Sequence, residues 1–197
     1  MSAKRLILAS SSAIRARILR EAGVAFEARS PGVDENAIKK RLIGSNPVDL
    51  AQTLADAKAA AIAEPDAFVL GSDQILEFEG RAHDKPATRA EAADRLAMLG
   101  GKTHTLINAV SIARNGKIAF RHVERPSLRM RPLSHEEIER YLDKAGPGVL
   151  SSVGAYQVES LGAHLIERID GDYFSVLGLS LFPVLGFLRA QGVPSFP

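Results

Sequence analysis

The stretch Ala67-Phe-Val-Leu-Gly-Ser-Asp-Gln74 decides the fold expected for this chain. Its apolar run is typical of a short buried strand, and the acid Asp73 follows that run almost directly. In α/β proteins the carboxyl ends of buried strands carry residues that handle ligands. Partial burial there would shift the pKa of Asp73 and would suit a general base or a metal ligand. A turn residue whose carboxylate accepts from backbone amides is the alternative.

Strand and helix patterns mix along the rest of the chain. An apolar strand pattern covers Arg5–Ala9, and helix starts follow at Ser10-Ser-Ser12 and at Asn46-Pro47. The dipeptide Asn115-Gly116 separates two strand patterns and is typical of a tight hairpin turn. Two capping-box pairs open further helices, at Thr88 with Glu91 and at Ser134 with Glu137. We therefore predict an α/β fold in which residues 1–197 form a single mixed-sheet domain.

Composition excludes several kinds of site. The chain has 197 residues, of which 46% are hydrophobic, so it can bury a sizeable core. It has no cysteine, which excludes a disulfide framework, a thiolate metal site and a cysteine nucleophile. The spacing of its five histidines is unlike that of zinc sites. The N-terminal apolar run is too short for a signal peptide or a membrane span, so we expect a cytoplasmic protein without a membrane partner.

Charge gives no sign of bulk binding to nucleic acid. The 25 basic and 23 acidic residues leave a net charge of +2, although the isoelectric point is near 9.0. An anionic ligand would therefore be held by local basic residues rather than by the field of the whole protein. Four arginines around the predicted hairpin keep a nucleic-acid-binding domain open as an alternative: Arg121, Arg125, Arg129 and Arg131. A solvated surface or the rim of a ligand site would explain the same arginines.

Basic and hydroxyl side chains suggest where phosphate groups would bind. Ser10 and Ser12 lie between a strand and a helix start, where amides and hydroxyls point toward any anion at the helix N-terminus. Arg15 lies one turn further on. The alternative is that the serines only cap the helix and that Arg15 is solvated. Lys58 and Lys85 are further candidates for phosphate binding, with ordinary surface lysines as the alternative.

Two carboxylates lie in segments that are not predicted to be regular structure. Glu159 belongs to a glycine-bearing stretch, 151–162, whose weak periodicity predicts a loop that lines a site before a strand over 164–169. Glu35 follows Asp34 after a predicted turn. A loop carboxylate can accept from the paired N–H donors of a nucleobase, or it can hold a divalent cation.

Taken together, these residues resemble the Maf family of nucleotide pyrophosphatases over nearly the whole chain. The family's opening motif is a strand followed by Ala-Ser-x-Ser-Pro-x-Arg, and its other motifs occur in the same order here. The matching segments are Ala9-Ser-Ser-Ser-Ala-Ile-Arg15, Val33-Asp-Glu35, Lys58, Gly71-Ser-Asp73, Lys85-Pro86, Gly154-Ala-Tyr156 and Val176-Leu-Gly-Leu-Ser-Leu181. One such motif is a weak signal, but this many in the right order are specific.

The resemblance implies a Maf/ITPase-like fold with helices on both faces of the sheet and two lobes around a cleft, and it allows a homodimer. It implies a hydrolase that cleaves a nucleoside triphosphate to the monophosphate and pyrophosphate with a divalent cation, Mg²⁺ or Mn²⁺. Asp73 would be the catalytic base that orients a water toward phosphorus. The other implied roles are phosphate binding by Ser10, Ser12, Arg15, Lys58 and Lys85, and metal binding by Glu35 with Asp73.

Three positions bear on the choice of base. Family members that act on dTTP and UTP have arginine, threonine and glutamine where this chain has Ile14, Gln74 and Glu159. Members that act on 7-methyl-GTP have glutamine and glutamate at the last two positions, as this chain does. A carboxylate suits the N1–H and exocyclic amine of guanine, so we predict a guanine-type or modified purine substrate such as 7-methyl-GTP.

Four positions depart from the family pattern. Ala13 and Ile14 replace a proline and an aromatic residue that would stack on the base, Asp84 replaces the glycine before Lys-Pro, and Ser180 replaces the proline of the last motif.

Besides nucleic-acid binding, three other functions stay open at this point. The first is a dTTP/UTP pyrophosphatase of the same family, and the second is a nucleotide-binding regulator of cell division without turnover. The third is an aspartyl-phosphate phosphatase with Asp73 as nucleophile. The Asp-x-Asp arrangement expected for that class is absent, because Ile75 lies two residues after Asp73.

Overall fold

The computed structural model describes residues 5–193, which form a mixed α/β fold. The strands are β1 (Arg5–Ala9), β2 (Glu27–Arg29), β3 (Ala67–Phe78), β4 (Arg81–His83), β5 (Thr103–Arg114), β6 (Lys117–Glu124), β7 (Ser127–Met130) and β8 (Ile166–Asp170). The α-helices are α1 (Ala13–Glu21), α2 (Glu35–Arg41), α3 (Pro47–Ala60), α4 (Arg89–Leu99), α5 (His135–Ala145), α6 (Tyr173–Leu177) and α7 (Leu181–Ala190). Two 3₁₀ helices cover Gly146–Ser151 and Leu161–Leu165.

The strands form one mixed sheet, as the sequence predicts. Its main path has the order β2-β1-β3-β5-β7-β8, and β4 and β6 pair with β3 and β5. β1 is parallel to both β2 and β3. β5 pairs antiparallel with β6 and β7, and β7 pairs antiparallel with β8. The hairpin between β5 and β6 turns at Asn115 and Gly116, whose φ angles of 51° and 72° are those a type I′ turn requires.

The described residues belong to two compact units. The first comprises 5–74, 108–124 and 178–193, and the second comprises 75–107 and 125–177. An apolar cluster in the first unit contains Ile7, Ala9, Ala59, Ala67, Val69 and Ala113. The larger cluster of the second unit includes Leu76, Leu96, Leu106, Leu128, Ile138 and Tyr156. The single domain over 1–197, the two lobes around a cleft and the homodimer stay predictions.

Helix α2 is not predicted from the sequence. The sequence suggests only a turn followed by an acidic pair in this segment. Asp34 caps this helix by accepting from the backbone N–H of Ala37 at 3.0 Å, and Glu35 is its first residue. Basic residues occupy its last turn and complement the helix dipole. None of its side chains is buried, so it has no apolar stripe for periodicity to detect.

Other differences concern helix and strand ends. The predicted strand over 164–169 begins at Ile166, because Leu161–Leu165 forms a 3₁₀ helix. Both bonds of the capping box are present at Ser134, which confirms that prediction. The box predicted at Thr88 is only half formed, since the Glu91 carboxylate accepts from the N–H of Ala87 instead.

A buried histidine lies in the core of the second unit. His104 on β5 is 2% exposed, and its Nε2 is 2.5 Å from the Tyr156 hydroxyl. Its Nδ1 has no hydrogen-bond partner among residues 5–193. Burial lowers the pKa of His104 from its ordinary value of 6.5 to about 4. The folded protein therefore holds this imidazole neutral at pH values where the unfolded chain would protonate it.

We expect His104 to make the protein sensitive to mild acid. Because its pKa is lower in the folded state, the unfolded chain binds more protons as the pH falls through 6.5 toward 4. This histidine alone should lower the free energy of unfolding by about 2 kcal/mol between pH 7 and about pH 5. Urea unfolding of the wild type and of His104→Gln at both pH values measures this difference.

The exposed His135 provides the matched control, as His135→Gln. The wild type and His135→Gln should lose the same stability on acidification, and His104→Gln should lose about 2 kcal/mol less. Equal losses in all three proteins would contradict the assignment of acid sensitivity to His104.

Candidate functional site

The site of the first unit begins with a close approach between α3 and β3. A Cβ atom on Gly71 would lie 2.4 Å from the carbonyl oxygen of Ala55 and 2.5 Å from the amide nitrogen of Ala59. Those distances are too short for any side chain, so glycine is required for the two backbones to touch. The residues of α3 that face Gly71, Ala55 and Ala59, are small and buried. Helix α3 consequently lies near enough to β3 for its lysine to reach across.

Lys58 on α3 joins two carboxylates. Its Nζ lies 2.6 Å from Oδ1 of Asp73 on β3 and 2.9 Å from Oε1 of Glu35 at the start of α2. Lys58 is 6% exposed and Asp73 is 7% exposed. A buried ammonium needs such partners, because an unpaired charge in this position would be strongly destabilising.

The structure corrects the predicted setting of Asp73. Strand β3 continues to Phe78, so Asp73 lies within a strand and is not a turn residue whose carboxylate caps backbone amides. The parallel pairing of β3 with β1 nevertheless ends at Leu70, three residues earlier. Asp73 therefore lies just beyond the end of β1, which is the relation that the strand-end argument requires.

Opposing influences act on the Asp73 carboxyl group. Burial is the largest of them and raises its pKa above the ordinary range, while the charges of Lys58 and Arg15 lower it. The net effect is a raised pKa. A carboxylate with increased proton affinity, held among cations, is suited to accept a proton from a bound water.

Arg15 is anchored beside the predicted phosphate-binding serines. Its Nε donates to the backbone oxygen of Gly178 at 2.8 Å, and an Nη donates to the Ser10 hydroxyl at 3.3 Å. Ser12 caps α1 by accepting from the N–H of Arg15 at 3.5 Å, and its own N–H donates to the Ser10 hydroxyl. Burial lowers the pKa of Arg15, and the charges of Asp73 and Glu35 raise it. The Ser12 cap is confirmed, and Arg15 is held in place rather than solvated.

Six of the predicted site residues lie in two contacting sets in the first unit, Ser10 with Ser12 and Arg15, and Glu35 with Lys58 and Asp73. The charges of Asp73 and Glu35 act on Arg15 and relate the two sets. Gln74 and Ile14 are half-buried in the same unit. The Gln74 amide oxygen and the Arg15 guanidinium both border Gly178, which has a φ angle of 110°.

Lys85 and Glu159 are exposed residues of the second unit. The phosphate-binding role of Lys85 and the base-selecting role of Glu159 stay predictions from the resemblance.

Three fully buried and mutually hydrogen-bonded polar residues near Asp73 are missing from the sequence-based site: Ser72, Asn108 and Ser180. The available signal is the single amide in the apolar run Leu106-Ile-Asn-Ala-Val110, since a polar residue buried in such a strand needs partners. Ser180 stands out only as a departure from the family pattern.

The four arginines behind the nucleic-acid alternative are all paired with carboxylates. The pairs are Arg121 with Asp56, Arg125 with Glu77, Arg129 with Glu167 and Arg131 with Glu137, at N–O distances of 3.0, 3.5, 3.6 and 2.7 Å. Their charge is thus offset locally, which gives no support to a basic nucleic-acid-binding stripe.

The donor set at Lys58 fits a divalent cation that also binds phosphate. Residues 5–193 contain no group of three or more histidine and acidic side chains placed to hold a metal by themselves. Mg²⁺ usually takes only one or two protein carboxylates and fills its remaining positions with water and substrate phosphate oxygens. Asp73 and Glu35, which share one ammonium, provide such a pair.

None of the helices in the described residues is both long enough and apolar enough to span a lipid bilayer.

A family model and several named relatives match nearly the whole chain. The family model described as Maf-like protein matches residues 5–191. A "7-methyl-GTP pyrophosphatase" of Rhizobium meliloti (strain 1021) is 46% identical over 191 residues, which are 95% of this chain and 96% of the relative. Two proteins named "Nucleoside triphosphate pyrophosphatase" are similarly close. That of Nitrobacter hamburgensis is 46% identical over 98% of this chain and 96% of its own length, and that of Caulobacter vibrioides is 45% identical over 98% of both.

These relatives confirm the prediction that the chain is a hydrolase of the nucleotide pyrophosphatase class. The chain belongs to the Maf-like family, as its ordered motifs predict.

We expect Gly71→Ala to disturb both stability and activity. The new methyl group would overlap backbone atoms of α3, which cannot rotate away as a side chain can. Overpacking of this kind costs about 1–3 kcal/mol, and the displacement of α3 should carry Lys58 away from Asp73. Urea unfolding and a turnover assay measure the two effects.

Gly148→Ala is the control, because a Cβ atom there meets nothing within 4 Å. It should leave stability within about 0.5 kcal/mol of the wild type. A Gly71→Ala protein as stable and active as Gly148→Ala would show that the close approach is not required.

Proposed function

We propose that this protein hydrolyses a nucleoside triphosphate between its α- and β-phosphates and releases the nucleoside monophosphate and pyrophosphate. The observation that carries the proposal is the buried Asp73 carboxylate, which lies 2.6 Å from the Lys58 ammonium. The positive charge of Arg15 also acts on this carboxylate. The near full-length similarity to proteins named nucleoside triphosphate pyrophosphatase supports the same reaction.

In this mechanism Asp73 acts as the general base. Burial raises its pKa and thus its affinity for a proton, while Lys58 and Arg15 favour the ionised form that can accept one. A water hydrogen-bonded to Asp73 would lose a proton to the carboxylate. The oxygen of that water would then bond to the α-phosphorus as the bond from phosphorus to the pyrophosphate oxygen breaks.

Arg15 and Lys58 would bind the phosphates together with Ser10 and Ser12, which precede α1. Arg15 is held by Gly178 and Ser10, so little side-chain freedom remains to be lost when an anion binds. The Ser10 hydroxyl lies beside the N-terminus of α1, where backbone N–H groups favour negative charge. Preorganised donors of this kind stabilise charge that develops in the transition state.

Charge balance supports a role for a divalent cation, Mg²⁺ or Mn²⁺. The site contains two cations, Lys58 and Arg15. Lys58 pairs with the carboxylates of Asp73 and Glu35, and the same two carboxylates act on the charge of Arg15. This group is nearly neutral by itself, so a triphosphate needs further positive charge to bind. Asp73 and Glu35 would hold the cation, which when bound neutralises phosphate oxygens and makes phosphorus more electrophilic.

We further propose a guanine-type or modified purine substrate. One relative is named for 7-methyl-GTP, and this chain has the Gln74 and Glu159 pair expected of that branch. The carboxylate of Glu159 would accept from guanine N1–H and the exocyclic amine, and a methylated purine would add its positive charge. Pyrimidine triphosphates, as in the dTTP/UTP branch, are the alternative substrates.

Asp73→Asn should strongly lower turnover while leaving the fold intact. The amide keeps the shape and an oxygen that can accept from Lys58, but it cannot take a proton, so kcat should fall by about 100-fold or more. Pyrophosphate release from a triphosphate with Mg²⁺ or Mn²⁺ is the assay, and EDTA should stop the wild-type reaction. Asp94→Asn, at an exposed position of α4, is the control.

Each alternative function has its own outcome in this assay. Full activity of Asp73→Asn would remove Asp73 from the mechanism. Inorganic phosphate in place of pyrophosphate would point to an aspartyl-phosphate phosphatase. Wild-type protein that binds triphosphates without releasing pyrophosphate would be a regulator.

The choice of base can be tested with a nucleotide panel. We expect kcat/KM for 7-methyl-GTP and GTP to exceed that for UTP and dTTP. Glu159→Gln should lower this ratio by about 10-fold, because one well-placed pair of hydrogen bonds discriminates between bases by that order. Glu136→Gln, an exposed acid on α5, should leave the ratio unchanged. Faster turnover of UTP and dTTP by the wild type would contradict the proposed substrate.

A further inference from the structure

A buried polar junction surrounds Asn108 on β5, in the first unit. The side chains of Ser72, Asn108 and Ser180 are all 0% exposed. Oδ1 of Asn108 accepts from the backbone N–H and the hydroxyl of Ser180, at 2.9 and 2.7 Å. Its Nδ2 donates to the Ser72 hydroxyl at 3.5 Å and to the backbone oxygen of Asp73 at 3.4 Å. One amide thus contacts both the strand that carries the candidate base and the start of α7.

The junction extends to Arg15 through a shared carbonyl group. The Ser72 hydroxyl donates to the backbone oxygen of Gly178 at 3.1 Å, and Nε of Arg15 donates to the same oxygen at 2.8 Å. The carbonyl that anchors Arg15 is therefore held by a residue of β3 next to Asp73. A continuous hydrogen-bonded path runs from Arg15 to the backbone of Asp73.

Packing alone does not call for these polar groups. The neighbours of Asn108 on β5 are Ile107 and Ala109, both buried and apolar. Burying an amide is unfavourable unless its donors and acceptors are satisfied, whereas an apolar residue of the same size would avoid that cost. The role of the Asn108 hydrogen bonds is therefore to be sought in the groups whose positions they fix.

Ser180 is used in an unusual way for its position. It precedes the first residue of α7, where a serine commonly accepts from a backbone N–H of the first turn. Here its side chain makes no such capping bond and donates to Asn108 instead. A proline at 180, the residue of the family pattern, would have neither the N–H nor the hydroxyl that Asn108 accepts from.

We propose that Asn108 and Ser180 are a coupled pair of positioning residues that fix the Arg15 guanidinium relative to the Asp73 carboxylate. Neither residue contacts substrate in this proposal. They act through the backbone oxygens of Asp73 and Gly178. The proposal rests on the proposed function, because its catalytic effect requires that Arg15 and Asp73 act on one substrate.

The test replaces Asn108 by leucine, which keeps the volume and removes every hydrogen bond of the amide. If Asn108 positions Arg15, Asn108→Leu should lower kcat by about 10-fold or more and should also raise KM, because Arg15 would bind the phosphates before the reaction as well as during it. In an Arg15→Ala background the same change should cost much less, because the residue being positioned is gone. A merely structural role would give the same fold-loss in both backgrounds.

Ser180 variants separate the two bonds to Asn108. Ser180→Ala removes only the hydroxyl and should have a smaller effect than Ser180→Pro, which removes both donors. Combining Ser180→Pro with Asn108→Leu should cost little more than the larger single effect, as expected for residues that act as one unit. Ser175→Ala is the matched control, because Ser175 on α6 is equally buried but donates to Asp172 in the second unit.

A second readout does not depend on turnover. Binding of an α,β-methylene triphosphate analogue, measured by calorimetry, should weaken by about 10-fold in Asn108→Leu and should be unchanged in Ser175→Ala. Thermal unfolding identifies any variant that fails to fold.

The two proposals fail in different ways. Loss of activity in Asp73→Asn with normal kcat and analogue binding in Asn108→Leu would overturn only the positioning role. Equal losses in Asn108→Leu with and without Arg15 would also overturn it. A wild type that releases no pyrophosphate would overturn the proposed function, and the analogue would then decide the positioning role.

Discussion

The organisation of the first unit depends on one buried ammonium group, that of Lys58 between Asp73 and Glu35. Such a group is costly to remove from water, and its attraction to carboxylates offsets that cost only where the partners are fixed. Gly71 helps to fix the partners of Lys58. Because it has no side chain, α3 can lie directly against β3, which carries Asp73. The backbone packing of two elements therefore determines where the charges meet, and each of the other groups at the site is held relative to this contact.

Two different means hold the cations of the site. Lys58 is fixed by ion pairs with carboxylates, whereas Arg15 is fixed by the backbone oxygen of Gly178 and the Ser10 hydroxyl. The anchors of Arg15 are neutral and offset none of its charge, although the nearby carboxylates of Asp73 and Glu35 offset part of it. The charge of Lys58 is largely used within the protein, where it also lowers the pKa of Asp73 against the effect of burial. The two cations are thus held in place by different kinds of contact.

Much of this could be predicted from the sequence, and the remainder has physical reasons. Strong local signals predict the hairpin at Asn115 and the cap at Ser12, and the structure confirms both. The ordered motifs correctly indicate the family. Helix α2 escaped because a short helix without buried residues has no periodicity. Asn108 escaped because its partners are 36 and 72 residues away in the chain, and no local pattern encodes such contacts. Long-range polar networks are where sequence patterns carry least information.

Helix α3 is held at several polar positions as well as by packing. Asp56 on this helix accepts from Ser111 on β5 and from Arg121 on β6, and Gln52 donates to the same Ser111. Lys58 makes its own contacts two residues after Asp56. Since each residue turns a helix by about 100°, one insertion or deletion between these positions would swing the ammonium away from its carboxylates. The spacing of polar residues along α3 therefore fixes the angular phase of the helix, and this segment should tolerate substitutions on its outer face but no change in length.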